Sequence, residues 1–304
     1  MRIKNKGIKT KKKSTKNRQW AEKTMNLISG CAHCCKYCYA KAMLVQLKNN
    51  TIDNWKNEVI RNPYLLKKKF RKRDYLIMFP STHDITPEHL QENLTFLGHL
   101  LAAGNKVLIV SKPHLECVKS MCDAFIPFKE NILFRFTIGS ADSNILKFWE
   151  PNAPDFNERL ESLKYAFNSG YQTSVSCEPM LDDKIDQVIQ QALPYVTETI
   201  WIGIPNLLIE RLSKNGFEDD HITMDQACAL MKLFSDEYIL SLYAKYQNNP
   251  KIMWKSSIIE VLKKYKIEIE NDNLRTQVLS DNESVAGKDS FILADDFKSI
   301  KRNL

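Results

Sequence analysis

Cys31-Ala32-His33-Cys34-Cys35-Lys36-Tyr37-Cys38 concentrates four of the chain's eight cysteines in eight residues, and Gly30 precedes it. Two spacings run through it. Cys31, Cys35 and Cys38 make a C-x3-C-x2-C, whereas all four make a C-x2-C-C-x2-C. Three thiolates suit three irons of a [4Fe–4S] cluster, for which cysteine is the usual ligand, and they leave the fourth iron open. Four thiolates suit a structural zinc ion. The zinc reading has to recruit the adjacent pair Cys34 and Cys35, whose side chains leave an extended backbone in different directions. The cluster reading leaves Cys34 over.

The loop with its aromatic Tyr37 before the last cysteine resembles the signature of the radical S-adenosylmethionine (SAM) superfamily. The longer run to Tyr39-Ala40 is similar to the spore photoproduct lyase-like (DNA repair photolyase-like) branch. Further matches to that branch are Thr137-Ile138-Gly139-Ser140-Ala141-Asp142, Glu150-Pro151-Asn152-Ala153-Pro154, Glu158-Arg159-Leu160 and Gly170, so the likeness covers roughly residues 24–205. It implies an α/β fold, a partial (β/α)6 barrel. It also implies a [4Fe–4S] cluster on Cys31, Cys35 and Cys38, SAM as its ligand, and a lyase-like radical enzyme. A one-electron donor of flavodoxin or ferredoxin type is the implied partner. The substrate and the catalytic hydrogen donor are not assigned.

Outside the loop, the remaining cysteines, Cys117, Cys122, Cys177 and Cys228, have no framework spacing. That suits a reducing, cytoplasmic setting. There is no apolar run of membrane-spanning length and no apolar signal core after the basic N-terminus, so neither a membrane span nor secretion is expected. Of the 304 residues, 43% are hydrophobic, enough for a sizeable core. The net charge is +8, yet residues 1–23 alone hold ten Lys/Arg against one acidic residue, +9, which leaves −1 for the rest. The organisation expected is a basic arm over 1–23, a core over 24–270 and a polar tail over 271–304. The arm has the composition of a segment that touches nucleic acid or of a solubilising tail. A second basic run, Lys67 to Arg73, either clamps phosphates or is a solvated element end.

Apolar runs of strand length recur at 24–30, 75–81, 106–111, 132–138, 172–178 and 199–204, with helical stretches between them, and Ile252-Met253-Trp254-Lys255 follows. Helices are expected over 39–48, 53–70, 86–103, 114–123, 156–168, 183–193, 224–234 and 257–265, with a loop through Trp149-Glu150-Pro151. Alternation of this kind calls for a parallel sheet. Several strands have one apolar and one polar face. Leu133, Arg135 and Thr137 oppose Phe134, Phe136 and Ile138; Ser174, Ser176 and Glu178 share a face, which puts Cys177 toward the helices. Such strands suit a barrel with a polar lumen better than an open doubly wound sheet.

Sites in parallel β/α folds lie at the C-terminal strand ends. There the sequence places Ser81, Thr82, His83, Ser111, Thr137, Ser140, Glu178 and Asn206. Under the resemblance, Thr137, Ser140, Glu178 and the backbone near Ser81 contact SAM, and Tyr37 lies near its adenine. Arg159 pairs with the SAM carboxylate or braces Glu150. His83 either serves the site or caps the following helix.

Overall fold

The computed structural model describes residues 20–47 and 51–267. Most of the basic arm and the whole polar tail therefore lie outside the described residues. The arm's last residues do not: Trp20 and Ala21 are buried, and Lys23–Thr24 form strand β1.

The run expected as one strand over 24–30 is split. After β1 the chain leaves the sheet, because the Asn26 side chain accepts from the backbone of Ser81 (2.7 Å) and Thr82 (2.9 Å). Ile28–Ser29 (β2) then pairs antiparallel with Val59–Ile60 (β3). Helix α1, Tyr39–Gln46, follows the cysteines. The helix expected over 53–70 does not form. Two short 3-10 turns, Asp53–Lys56 and Pro63–Lys67, flank β3 instead. Asn62-Pro63 explains this, since proline disfavours helical backbone at the residue before it, and the β-branched Val59 and Ile60 take strand geometry.

The main sheet then builds one strand at a time: β4 (Ile77–Phe79), β5 (Val107–Ser111), β6 (Ile132–Thr137), β7 (Gln172–Cys177), β8 (Ile200–Ile202) and β9 (Ile252–Trp254). Its order is β1-β4-β5-β6-β7-β8-β9, every neighbour parallel. The intervening helices are α2 (Leu90–Ala102), α3 (Leu115–Ala124), α4 (Ser143–Trp149), α5 (Phe156–Asn168), α6 (Ile185–Ala192), α7 (Leu208–Leu212), α8 (His221–Leu233) and α9 (Asp236–Tyr246), with α10 (Ser256–Lys264) after β9. Helix α4 replaces the loop expected through Trp149, and α9 has no counterpart in the sequence reading. The six expected units thus become seven parallel strands.

The sheet curls into the expected partial barrel. Phe134, Phe136, Ile138 and Cys177 face the helices and are fully buried; each phenylalanine contributes about 2–3 kcal/mol by leaving water. The opposite faces of the strands meet one another across the lumen. Trp20, just ahead of β1, joins Met78 of β4, Leu108 of β5, Trp201 of β8 and Met253 of β9 in one apolar cluster. The rings of Trp20 and Trp201 are 6.1 Å apart, and Arg135 Cζ lies 4.9 Å from the Trp20 ring. Trp20 therefore reaches across the lumen from just ahead of β1 to β6, β8 and the end of β9. The Lys67–Arg73 run is exposed apart from Phe70, which packs on Phe96. It precedes β4 and so sits at the opposite edge from the strand C-termini.

Candidate metal centre and cofactor cavity

Gly30 opens the cysteine loop with φ +90°. A Cβ there would lie 2.3 Å from the Asn57 carbonyl and 2.8 Å from that of Trp55. The loop backbone is then fixed from five directions. The Cys31 amide donates to the Trp55 carbonyl (2.9 Å), and that of Lys36 to the Trp149 carbonyl (2.9 Å). The Ala32 amide donates to Glu58 Oε1 (2.9 Å). Asn152 Nδ2 donates to the Ala32 carbonyl (2.9 Å). Asn215 Nδ2 donates to the carbonyls of Lys36 (2.8 Å) and Cys38 (3.0 Å).

Cys31, Cys35 and Cys38 line one cavity of about 400 Å³ at the C-terminal end of the barrel. Cys34 does not. Its φ is +52°, it is half-buried, and its thiol points to the Cys31 carbonyl at 3.7 Å. Burial pushes the thiol pKa values of Cys31, Cys35 and Cys38 up. Proximity adds to this: Cys31 is raised by Asp84, Cys35 and Cys38, and Cys35 by Glu150 and Cys38. Lys112 works the other way on Cys35 and Cys38. The Cys38 sulfur caps α1, accepting from the Lys41 amide at 3.4 Å, and helix N-termini favour thiolates. Three sulfurs that disfavour their own ionisation but share one cavity, those of Cys31 and Cys35 buried and that of Cys38 half-buried, fit a polynuclear metal group, whose positive charge relieves that repulsion. A second donor set overlaps it: ligand atoms of Cys31, His33 and Asp84, all buried, lie within 4.8 Å of one another.

Of the other residues read from sequence, Tyr37, Ser81, Thr137 and Glu178 line the same cavity, as do Thr82, His83, Ser111 and Asn206. Ser140 and Arg159 stand behind its wall. The Ser140 hydroxyl donates to Asp182 Oδ2 (2.5 Å) and accepts from the Asp142 amide (2.9 Å). Arg159 is wholly buried and donates to Glu150 Oε2 (2.5 Å), the Pro154 carbonyl (2.7 Å) and the Thr137 carbonyl (3.1 Å). It braces Glu150 instead of facing the cavity. His83 is neutral and bridging: the Leu27 amide donates to its Nε2 (3.1 Å), and its Nδ1 donates to the Asp84 carbonyl (2.7 Å). It does not cap the next helix, where Thr86 holds that position.

Several lining residues were missed, among them Lys112, Lys255, Trp20 and Arg211. Lys112 follows Ser111 at the end of β5 and Lys255 follows β9, so the strand-end rule could have found both. Lys255 Nζ lies 2.9 Å from Glu178 Oε2 and 4.0 Å from the Trp20 ring centre. Gly203 between them leaves the room, since a Cβ there would come within 2.9 Å of Lys255 Cβ and 3.2 Å of Glu178 Cγ. Trp20 lay hidden in the basic segment. Arg211, whose guanidinium lies 5.8 Å from the Tyr39 ring, sits on the short helix α7 and left no signal.

No family model matches the chain. An uncharacterized protein of Acidianus two-tailed virus is 24% identical over 220 residues, 67% of this chain and 70% of that protein. A spore photoproduct lyase structure matches at 18% identity and a TM-score of 0.44, covering 71% of this chain and 64% of that one. Streptococcus suis SuiB bound to its precursor peptide SuiA matches at 11% identity and a TM-score of 0.48, covering 81% of this chain and 52% of that one. The chain thus spans less than two thirds of either solved relative. No helix among the described residues is long and apolar enough to cross a membrane. Spore photoproduct lyase and SuiB are thus among the solved structures that this open parallel barrel, with its three-cysteine loop at the mouth, resembles.

Proposed function

We propose that the chain is a radical SAM enzyme in which Cys31, Cys35 and Cys38 hold a [4Fe–4S] cluster. The observation that carries this reading is the convergence of those three sulfurs on one cavity at the barrel's C-terminal end, with Cys34 turned away. When bound, cluster and SAM supply a 5′-deoxyadenosyl radical that takes hydrogen from a substrate.

The protein's part is to bind, orient and exclude water. Tyr37 forms wall beside the sulfurs. Ser81, Thr137 and Glu178 offer polar groups to SAM from three successive regions of the rim. Lys112 supplies a cation next to Cys35 and Cys38; burial alone would lower its pKa, but Cys35, Tyr37, Glu150 and Asp84 around it together raise it by more, so the ammonium stays protonated. Trp20 and Trp55 line the cavity with apolar surface. Ser140 and Arg159 act from behind, through Asp182 and Glu150. A lyase-like reaction, a flavodoxin- or ferredoxin-type electron donor and nucleic-acid contact through the basic arm belong to the same proposal.

A second reading has one observation in its favour. The sulfur, nitrogen and oxygen donors of Cys31, His33 and Asp84 would suit zinc. Metal analysis separates the two. Anaerobic reconstitution with ferrous iron and sulfide should load about four irons and four sulfides per chain. Cys34→Ala should keep that load, while Cys31→Ala, Cys35→Ala and Cys38→Ala should lose it. One zinc per chain with no acid-labile sulfide would overturn the proposal.

A further inference from the structure

Within the cysteine loop, two other side chains point inward, His33 and Tyr37, and both are buried. Each meets a buried carboxylate. His33 Nδ1 donates to Asp84 Oδ2 at 3.0 Å. The Tyr37 hydroxyl donates to Glu150. The two carboxylates come from distant segments, one after β4 and one after α4. Lys112 Nζ stands between them, 3.8 Å from Asp84 and 3.9 Å from Glu150.

The remaining oxygens are also occupied. Asp84 Oδ1 accepts from the Ser111 hydroxyl (2.6 Å) and the Lys112 amide (2.7 Å). Glu150 Oε2 accepts from Arg159, which in turn holds the end of β6 through the Thr137 carbonyl. Two carboxylates, one lysine and one arginine make a set with no net charge. Buried ion sets of this kind are weak sources of stability, because desolvation offsets their attraction, but removing one member leaves a costly unpaired charge. What this set achieves is geometric: both ends are aimed at the loop.

We propose that Asp84 and Glu150, bridged by Lys112, are positioning residues that hold the cysteine loop, through His33 and Tyr37, in its three-sulfur geometry before any metal arrives. The proposal rests on the reading of that loop as the cluster site. Its physical reason is preorganisation. Three thiols do not gather unaided, and a loop already ordered loses less freedom when it binds. Hydrogen bonds to an ionised carboxylate are strong enough to enforce the order.

The test uses the metal-free full chain. Tyr37→Phe deletes the hydroxyl donor but keeps the ring and the Glu150–Arg159 pair. His33→Ala deletes the other anchor, while His33→Asn keeps an amide N–H for Asp84. Hydrogen exchange followed by mass spectrometry should show the 31–38 amides exchanging at least about tenfold faster in Tyr37→Phe and His33→Ala. Exchange in β5–β7 should stay unchanged, and His33→Asn should restore most of the protection. Ferrous iron should bind each fast-exchanging variant at least about tenfold more weakly, the same factor carried into affinity. Loop exchange equal to wild type in both variants would overturn the proposal. Iron and sulfide content of the wild-type chain reads the cluster assignment separately, so the two ideas fail on different measurements.

Discussion

His83 shows how a single side chain links the strand entering the loop to the strand-end residues around the cavity. Its Nε2 accepts from Leu27 and its Nδ1 donates to Asp84, so only the neutral ring satisfies both. Burial lowers its pKa from 6.5 to about 4. A depressed folded-state pKa means that the unfolded chain binds the proton first. Its contribution to stability is therefore whole above about pH 6.5 and is lost as pH falls toward 4. At about 1.4 kcal/mol per unit, the loss approaches about 3 kcal/mol. Urea denaturation across that window should show the slope, and His83→Gln should flatten it. An equal slope in the variant would contradict this account. The residue scale is also where the sequence was most legible. Cys31, Cys35, Cys38, Ser81, Thr137 and Glu178 all reach one cavity, because strand ends and a spaced motif are local signals. For Arg159 the second of its two expected roles holds, since it braces Glu150. Ser140 was assigned a SAM contact, yet it acts inside the wall, and only packing reveals that Asp182 lies within its reach.

At the scale of elements, Gly30 decides whether β2 can deliver the chain into the loop. Alanine there would need an unfavourable φ and would collide with two backbone carbonyls. Gly30→Ala should cost at least about 2 kcal/mol in chemical denaturation, within the range of other strained backbone positions. It should also lower iron uptake. Unchanged stability would mean that the loop entry is softer than its geometry suggests. The strands of the sheet were legible because each is an apolar run ended by a turn. Helix α5 was legible over Phe156–Asn168, and its Asp155 cap accepts from the Glu158 amide. Three elements were not. Residues 53–70 looked helical only if Pro63 was passed over. Helix α4 has a legible cap in Asp142, but the family-like Glu150–Pro154 motif drew the reading toward a loop. Helix α9 has a Ser235 cap and apolar Ile239, Leu242 and Tyr243 at helical spacing, yet the sequence reading has no helix there.

For the whole molecule, the open edge of the barrel is the feature to test. Trp20 lies just ahead of β1, yet it touches Trp201 of β8, Lys255 after β9 and Arg135 of β6. It is 9% exposed. Trp20→Ala should destabilise the chain by about 3–5 kcal/mol, the usual cost of emptying a tryptophan site in a core. A loss below about 1 kcal/mol would show that the lumen closes without it. The sequence placed this residue in a basic arm, since charge dominates its neighbours and its partners lie more than a hundred residues away. The parallel sheet and its curl were legible from alternating strand faces, whereas the seventh strand was visible only as a short apolar run near the end.

The central claim is that three sulfurs at this barrel's mouth support SAM cleavage. It is tested most directly by mixing the anaerobically reconstituted full chain with dithionite and SAM and following 5′-deoxyadenosine by chromatography. The account predicts product from the wild type and from Cys34→Ala, and none from Cys31→Ala, Cys35→Ala or Cys38→Ala. A fully loaded wild-type protein that forms no 5′-deoxyadenosine would contradict it.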